Sequence, residues 1–300
     1  MNSILKLILF FLLIGFTALE PGNINAQAIP DTNILYKVDT KDGNEFFGNI
    51  MEKDTSVVKF KTSDYGKIII RASNIKKIEM IPMDKIKAGK IWIENFQDAR
   101  YFFSPNGYGL RKGEAYYQNV WVLYNQFSVG LTKNISIGGG IVPLFLFAGA
   151  PTPVWLIPKV SIPIVKDKFN VGAGALVGYV LGEEDAGFGL VYGTGTIGSR
   201  DQNLSLGVGY GWVAGEFTDK PIINLCVLIR TSPKSYFMSE NYYLSIDGTN
   251  IVLLSMGGRS VIKRIGLDYG LFVPISEELE SFVAIPWLGI TVPLGKPKSE

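Results

Sequence analysis

The sequence predicts an all-β protein: a transmembrane antiparallel β-barrel of about twelve strands, preceded by a small five-stranded β-domain of the SH3-like kind. From about Asn119 to Leu294, segments of about ten residues alternate bulky apolar with small or polar side chains, as tilted membrane-crossing strands do. Glycine accounts for 34 of 300 residues, aromatic residues for 12%, and hydrophobic residues for 47%. Residues 33–82 differ from this pattern, because their apolar segments are shorter and carry more charge. A ten-stranded barrel is the alternative.

The first 28 residues have the features of a cleaved secretory signal peptide. Lys6 supplies a positive start, and Leu7–Leu19 is an apolar run too short to cross a membrane as a helix. Ala26-Gln27-Ala28 then offers a cleavage site of the small-x-small type. We therefore expect an exported chain with five parts: a signal peptide (1–28), a small periplasmic β-domain (33–82), a connector (83–98), an outer-membrane barrel (99–294) and a polar tail (295–300).

Short strands with turn signals between them define the small domain. Asp42-Gly43 is a strong hairpin-turn signal. Five strands are predicted: Leu35–Thr40, Glu45–Glu52, Ser56–Thr62, Gly66–Arg71 and Ile75–Met80. Together with this turn, Phe47-Gly48-Asn49-Ile50 and Asn74-Ile75 resemble the Sm-like small barrels. Sm-type proteins bind RNA, but an exported chain would not meet RNA, so we expect no nucleic-acid partner.

Eleven strand-like segments follow in the barrel region. They lie near 119–131, 135–147, 155–165, 170–182, 188–198, 203–214, 221–232, 236–245, 250–261, 265–274 and 284–294. Tight turns alternate with longer loops, and outer-membrane barrels place the short turns in the periplasm. The 119–131 strand then runs inward, so an outward strand must precede it. Ala99–Phe103 is the candidate, with Ser104–Glu114 as an outer loop, which gives twelve strands and both termini in the periplasm.

Several short stretches resemble a family of Bacteroidota outer-membrane β-barrels: Arg100-Tyr-Phe-Phe103, Lys112-Gly-Glu114, Tyr116-Tyr-Gln-Asn119 and Ser136-Ile-Gly-Gly-Gly140. The resemblance runs from about residue 100 to residue 294. It implies a barrel in the cell outer membrane, surrounded by outer-membrane lipid, and brings no assigned activity. Gly289–Leu294 resembles the C-terminal signal read by the barrel-assembly machinery, which implies that machinery as a partner during insertion.

Alternation assigns the two faces of each strand once the apolar set is placed toward lipid. Two rows of glycines are then expected to face the lumen: Gly172, Gly174 and Gly178 in one strand, and Gly189, Gly193 and Gly195 in the next, opposite Phe188, Leu190 and Tyr192. Inward glycines relieve crowding where a sheet curves or where another segment approaches the wall. A dedicated ligand pocket is the alternative interpretation.

Charged residues within the strands are expected to face the lumen, because a charge facing lipid costs about 2–4 kcal/mol at mid-bilayer. Counting back from the Lys263-Arg264 turn places Arg259 directly across from Asp268. Five candidates for lumen charges result: Arg259, Asp268, Arg230, Glu240 and Lys159. Arg230 and Glu240 are expected to extend the cluster of the first two. Such charges either brace a closed interior or form a charged constriction that selects solutes.

The chain contains no histidine, and this absence limits the functions that we consider. It excludes nucleophiles activated by histidine, histidine general bases and histidine metal ligands. We expect neither enzymatic activity nor a cofactor or metal. The small net charge of +2 gives no argument for nucleic acid. We expect an outer-membrane barrel with a structural or interaction role and a largely filled lumen. The alternatives are a narrow channel for small solutes and a lumen enzyme that works without histidine.

Overall fold

The computed structural model describes residues 34–62, 65–81, 86–87, 90–92, 95–246, 248–262, 264–279 and 281–294. The predicted signal peptide and the polar tail lie outside the described residues. The chain divides into two compact units, Met1–Ala88 and Gly89–Glu300. No helix in the described part of the chain is long and apolar enough to cross a membrane.

The first unit is a five-stranded antiparallel sheet, which confirms the five predicted strands. The strands are β1 (Tyr36–Thr40), β2 (Glu45–Lys53), β3 (Val57–Thr62), β4 (Gly66–Arg71) and β5 (Ile75–Met80), in the spatial order β4-β3-β2-β1-β5. Alternation in β3 buries Val58 and Phe60 and exposes the two lysines that flank Phe60. A continuous core results, formed by Val38, Ile50, Val58, Phe60, Ile70 and Ile75. Two further strands of two residues each follow, β6 (Ile86–Lys87) and β7 (Lys90–Ile91).

The second unit contains a closed barrel of twelve antiparallel strands, which confirms the predicted fold class and strand number. The strands are β8 (Ala115–Val120), β9 (Tyr124–Gly130), β10 (Ile135–Ile141), β11 (Thr152–Val165), β12 (Phe169–Leu181), β13 (Gly187–Gly198), β14 (Gln202–Val213), β16 (Ile222–Ser232), β17 (Ser235–Ile246), β18 (Thr249–Ile262), β19 (Ile265–Ile275) and β20 (Ile285–Pro293). Pairing of β20 with β8 closes the ring. A short helix, α1 (Pro143–Phe147), follows β10, and a two-residue strand, β15 (Glu216–Phe217), pairs with the end of β14.

The outer face of the barrel is apolar, and its interior combines polar and charged side chains with a buried apolar cluster that includes Leu228, Met238 and Phe272. In β14, Leu204, Leu206 and Val208 are exposed on the outer face, whereas Asn203 and Ser205 are buried on the inner face. The other long strands repeat this arrangement, with exposed aliphatic and aromatic residues outside. A water-soluble domain has the opposite arrangement, since its surface carries the charged residues.

The structure corrects the prediction for the first barrel strand. Ala99–Phe103 is not a strand of the wall, and Ser104–Glu114 is not an outer loop, because both lie inside the barrel. The predicted 119–131 strand is instead a hairpin of β8 and β9, with its turn at Trp121 and Val122. Both turn residues have positive φ angles, 51° and 67°, which β-branched and bulky residues rarely adopt. No turn signal in the sequence therefore marks this position.

The structure also corrects the predicted faces of β13. Directly paired residues on neighbouring strands share a face of the sheet, and Gly174 pairs with Tyr192 while Gly178 pairs with Phe188. Phe188, Leu190 and Tyr192 therefore point inward, and Gly189, Gly193 and Gly195 point outward. Steric complementarity explains this arrangement. A Cβ on Gly178 would lie 2.4 Å from the Phe188 ring, so the inward glycines of β12 make room for large residues of β13.

The two ends of the barrel differ in their connections. At one end, called the termini end, the chain enters β8 and leaves β20, and the tight turns 131–134, 166–168, 199–201 and 233–234 lie there. The other end, called the loop end, carries the turn at 121–123 and the longer connections 142–151, 182–186, 214–221 and 276–284. Both termini of the barrel thus lie on the side of the tight turns.

Candidate functional site in the barrel interior

Residues 95–114 cross the interior of the barrel and are called the internal segment. Its residues contact inward-facing side chains from strands all around the ring. Arg100 bonds to Thr291 of β20, the Tyr101 hydroxyl to Ser205 of β14, and the Gly107 amide donates to Thr196 of β13. Since these strands lie on different sides of the ring, the segment that touches them all must lie in the lumen.

At the centre of the interior, two arginines share one carboxylate. Arg259 of β18 lies across from Asp268 of β19, in the register counted from the sequence. Arg259 donates from Nε and Nη2 to the two Asp268 oxygens at 2.6 and 3.0 Å. Arg100 of the internal segment donates from Nη1 to the same carboxylate at 3.2 Å. All three side chains are buried, so their charges are compensated only by one another and by nearby dipoles.

Other donors of these arginines bind the backbone of the internal segment, and Arg100 Nη2 donates to the side chains of Gln97 and Thr291 at 2.8 and 2.7 Å. Arg259 donates to the carbonyl oxygens of Gln97 and Tyr101 at 2.7 and 2.8 Å. Arg100 donates to the carbonyl oxygens of Tyr101 and Phe102 at 2.8 and 2.7 Å. Hydrogen bonds that involve an ionised group are stronger than neutral ones, so this cluster holds the segment firmly against the wall.

Glu240 of β17 forms a second attachment point, separate from the arginine cluster. Its carboxylate accepts hydrogen bonds from the backbone amides of Phe103 and Ser104 at 3.0 and 3.1 Å, and from the Tyr242 hydroxyl at 2.6 Å. Arg230, which we expected to extend the cluster of Arg259, instead pairs with Asp201 at 2.9 Å. The prediction that Arg230 and Glu240 extend the arginine cluster was therefore wrong. Arg230 pairs with a residue of the β13–β14 turn and Glu240 with the internal segment, and neither partner can be found by counting residues along a hairpin.

Near the termini end, further contacts fix the internal segment. Asp98 accepts hydrogen bonds from Arg200 at 2.7 Å and from Arg111 at 3.4 Å. Lys159 of β11 is buried and donates to the carbonyl oxygens of Ala99 and Tyr108. All five charges proposed from the sequence are therefore buried in the interior, and four of them bond directly to the internal segment or to a neighbouring charge of the same network: Arg259, Asp268, Glu240 and Lys159.

The internal segment approaches the wall closely at its glycines. A Cβ on Gly107 would lie 2.5 Å from the carbonyl oxygen of Asn170, and one on Gly130 of β9 would lie 2.2 Å from that of Arg111. No side chain larger than hydrogen fits at either contact. The internal segment therefore lies directly against the wall at both positions.

A cavity of about 130 Å³ remains between the internal segment and the opposite wall. It extends to Tyr124 and Ile222, the first residues of β9 and β16 at the loop end. Aromatic and aliphatic side chains provide much of its lining, among them Tyr192, Leu176 and Leu190. In the described part of the chain, the charged residues that line it are Arg100 and Lys159, which are both basic.

The chain matches no known protein family, no curated protein and no solved structure. The resemblance to the Bacteroidota barrels, and that of the first unit to Sm-like barrels, therefore stay predictions. Within the described residues, no group of three or more cysteine, aspartate and glutamate side chains lies close enough to hold a metal ion.

Sequence reasoning missed the interior residues that lie outside the strands. Arg100 and Asp98 belong to the internal segment, while Arg200 and Asp201 belong to the turn between β13 and β14. One signal was available for Arg100. A charge inside a segment assigned to a membrane-crossing strand needs a partner in the lumen. Asp268 was predicted to face that lumen, but the sequence does not show that a second arginine shares it.

Proposed function

We propose that the chain is an outer-membrane β-barrel protein with a structural or interaction role, whose lumen is closed by its own internal segment. The exposed apolar outer face of the strands and the burial of charged side chains in the interior support a membrane location, since lipid and not water then surrounds the wall. The proposal includes an exported chain, termini in the periplasm, insertion by the barrel-assembly machinery and membership of the Bacteroidota barrel family.

The proposal of a closed lumen is supported by one observation in particular. Buried charged side chains of the barrel wall bind the backbone of the internal segment. Arg259 binds it at Gln97 and Tyr101, and Glu240 binds it at Phe103 and Ser104. Breaking such a bond leaves a buried charge without its partners, which costs several kcal/mol. The segment therefore stays in place, and the barrel has no open pore. We also propose that the protein is not an enzyme, since histidine chemistry is excluded by composition.

Conductance across a planar lipid bilayer tests the closed lumen. We expect the purified, folded protein to give no stepwise currents. Glu240→Gln removes the charge that binds Phe103 and Ser104, so this variant should give brief, flickering openings as the segment loosens. Glu216→Gln, at an exposed position of the loop end, is the matched control and should behave as the unmodified protein.

Steady currents from the unmodified protein would contradict the closed lumen and favour the narrow channel for small solutes. If neither the unmodified protein nor Glu240→Gln gives currents, the barrel is closed but Glu240 is not needed to hold the internal segment in place. A heat-modifiable shift on a gel establishes that each protein is folded before its currents are measured.

A further inference from the structure

We propose that the cavity beside the internal segment binds a small organic anion: a carboxylate with an apolar body of about one ring. The carboxylate would lie toward Lys159, and the apolar body would lie among Tyr192, Leu176 and Leu190. This inference goes beyond the proposed structural role, and it requires only the barrel interior, whatever the cellular location of the protein.

Lys159 places a buried amine at the wall of the cavity. Its side chain is buried, with 7% of the residue exposed, and its Nζ donates to two backbone carbonyl oxygens. Among the described residues it has no carboxylate partner within 4 Å, and Asp98 pairs instead with Arg111 and Arg200. A buried ammonium group is costly unless an opposite charge compensates it. An anion bound in the cavity would supply this opposite charge, and its binding would keep the Lys159 amine protonated.

The lining of the cavity combines basic residues with apolar side chains. Among the described residues that line it, Lys159 and Arg100 are the charged ones, so an anion meets no repulsion from a lining carboxylate. Tyr192, Leu176 and Leu190 present rings and methyl groups, which favour an apolar body over an inorganic ion. The ligand therefore needs both parts, a negative group and a hydrocarbon body.

Volume limits the size of the ligand. A dry apolar cavity of about 150 Å³ in another protein accommodates benzene. The cavity of about 130 Å³ thus suits a single ring or a chain of a few carbons, and a long acyl chain would not fit. Because the lining reaches Tyr124 and Ile222 at the loop end while the segment fills the termini end, we infer that the ligand enters from the loop end.

A matched pair of probes tests the proposal on the full chain in lipid nanodiscs. Binding of 4-fluorobenzoate and of the uncharged 4-fluorobenzamide is followed by ¹⁹F NMR, with empty nanodiscs as the blank. We expect saturable binding of one benzoate per barrel, at least about tenfold tighter than that of the amide, as befits a charge-assisted contact. Equal affinities, or signals that rise without saturation as in empty nanodiscs, would overturn the proposal.

Two variants locate the site. Lys159→Gln should weaken benzoate binding at least about tenfold and leave amide binding nearly unchanged. Leu190→Trp should abolish binding of both probes by filling the cavity. The control Val191→Trp adds the same bulk one residue away, on the exposed outer face, and should bind as the unmodified protein does.

Two results with these variants bear on the position of the site. Benzoate binding that survives both Lys159→Gln and Leu190→Trp would place the probe elsewhere and overturn the assignment. If Leu190→Trp fails to fold, Ser128→Phe fills the same cavity from β9 and takes its place. Because conductance is measured separately, a closed barrel that binds no probe would contradict this inference while leaving the proposed function intact.

Discussion

At the scale of single residues, the arrangement of Arg259, Asp268 and Arg100 makes the interior sensitive to loss of one charge. Two guanidinium groups depend on one carboxylate, and the contact occurs in a region that the chain itself shields from water. Buried ion pairs add little net stability, yet removal of one partner is strongly destabilising, because the other charge is left uncompensated. The Asp268 carboxylate therefore has more effect on stability than either arginine alone.

We expect Asp268→Asn to lower the free energy of unfolding by about 3–5 kcal/mol, because two buried arginines lose their counter-charge. Combining it with Arg259→Gln should recover part of the loss, and only part, since Arg100 remains. The measurement is the heat resistance of the folded band on a gel. Asp167→Asn, in an exposed turn, makes the same chemical change and should have no effect. A double variant that equals the sum of the two single ones would show that the side chains do not interact.

In the first unit, Asp54 stabilises the turn between β2 and β3. Its Oδ1 accepts hydrogen bonds from the Ser56 hydroxyl at 2.7 Å and from the backbone amides of Ser56 and Val57 at 2.6 and 2.7 Å. These hydrogen bonds, that of the hydroxyl first, hold the pKa of the Asp54 carboxyl below its ordinary value. A lowered pKa in the folded state means that ionised Asp54 stabilises the fold above the unfolded pKa and that this stabilisation is lost as pH falls through the folded pKa.

We therefore predict that Ser56→Ala raises the pKa of Asp54 toward its ordinary value. The first unit of this variant should also begin to lose stability at a higher pH during acidification. The reason is that the pKa of Asp54 in the folded state is then lowered by a smaller amount. Titration of the Asp54 carboxyl carbon by NMR measures the first effect. An unchanged pKa in Ser56→Ala would show that the hydroxyl does not contribute.

At the scale of elements, the close approach of the internal segment to the wall depends on glycines at particular positions. Gly130 of β9 faces the segment, whereas Gly193 of β13 faces outward, and a methyl group added there would have no atom within 4 Å. The two residues are alike in the sequence, since both follow the alternation of a membrane strand. Only their surroundings distinguish them.

Gly130→Ala should therefore destabilise the barrel by about 1–3 kcal/mol, because the added methyl group would overlap the carbonyl oxygen of Arg111. Gly193→Ala is the matched control and should change the stability by about 0.5 kcal/mol or less. Heat resistance on a gel compares the two variants. Equal effects of both substitutions would contradict the placement of Leu110 and Arg111 against β9.

At the scale of the whole molecule, the reversed polarity of the barrel predicts where the protein is found. We expect it to fractionate with the outer membrane and the mature chain to lack residues 1–28. The motivation is the exposed apolar wall, which water would not tolerate, together with Lys6, Leu7–Leu19 and the site at Ala26-Gln27-Ala28. Mass spectrometry of the N-terminus and cell fractionation measure this. An intact N-terminus, or recovery in the soluble cytoplasmic fraction, would contradict the membrane assignment.

The local periodic features of this protein could be predicted without its structure. Alternation of apolar and polar residues predicted eleven strand segments and the faces of β12 and β14, because side chains on a strand have a period of two whatever surrounds it. The alternation of tight turns and longer loops added the twelfth strand, which was placed wrongly at Ala99–Phe103. The two-residue turn at Lys263-Arg264 was enough to place Arg259 across from Asp268, since a hairpin register follows from counting residues. The five strands of the first unit follow from the same local signals.

The filling of the interior, by contrast, depends on tertiary contacts. Ala99–Phe103 is apolar and aromatic enough to be taken for a strand, and no local pattern distinguishes a wall strand from a segment that crosses the lumen. The faces of β13 are set likewise by Gly174 and Gly178 on the neighbouring strand, which leave room for Tyr192 and Phe188. Asp268, which binds Arg100, and Ser104, which binds Glu240, each lie more than a hundred residues from their partner along the chain. Contacts at such separations form only when the whole ring closes, and the sequence of a single segment does not determine how the ring closes.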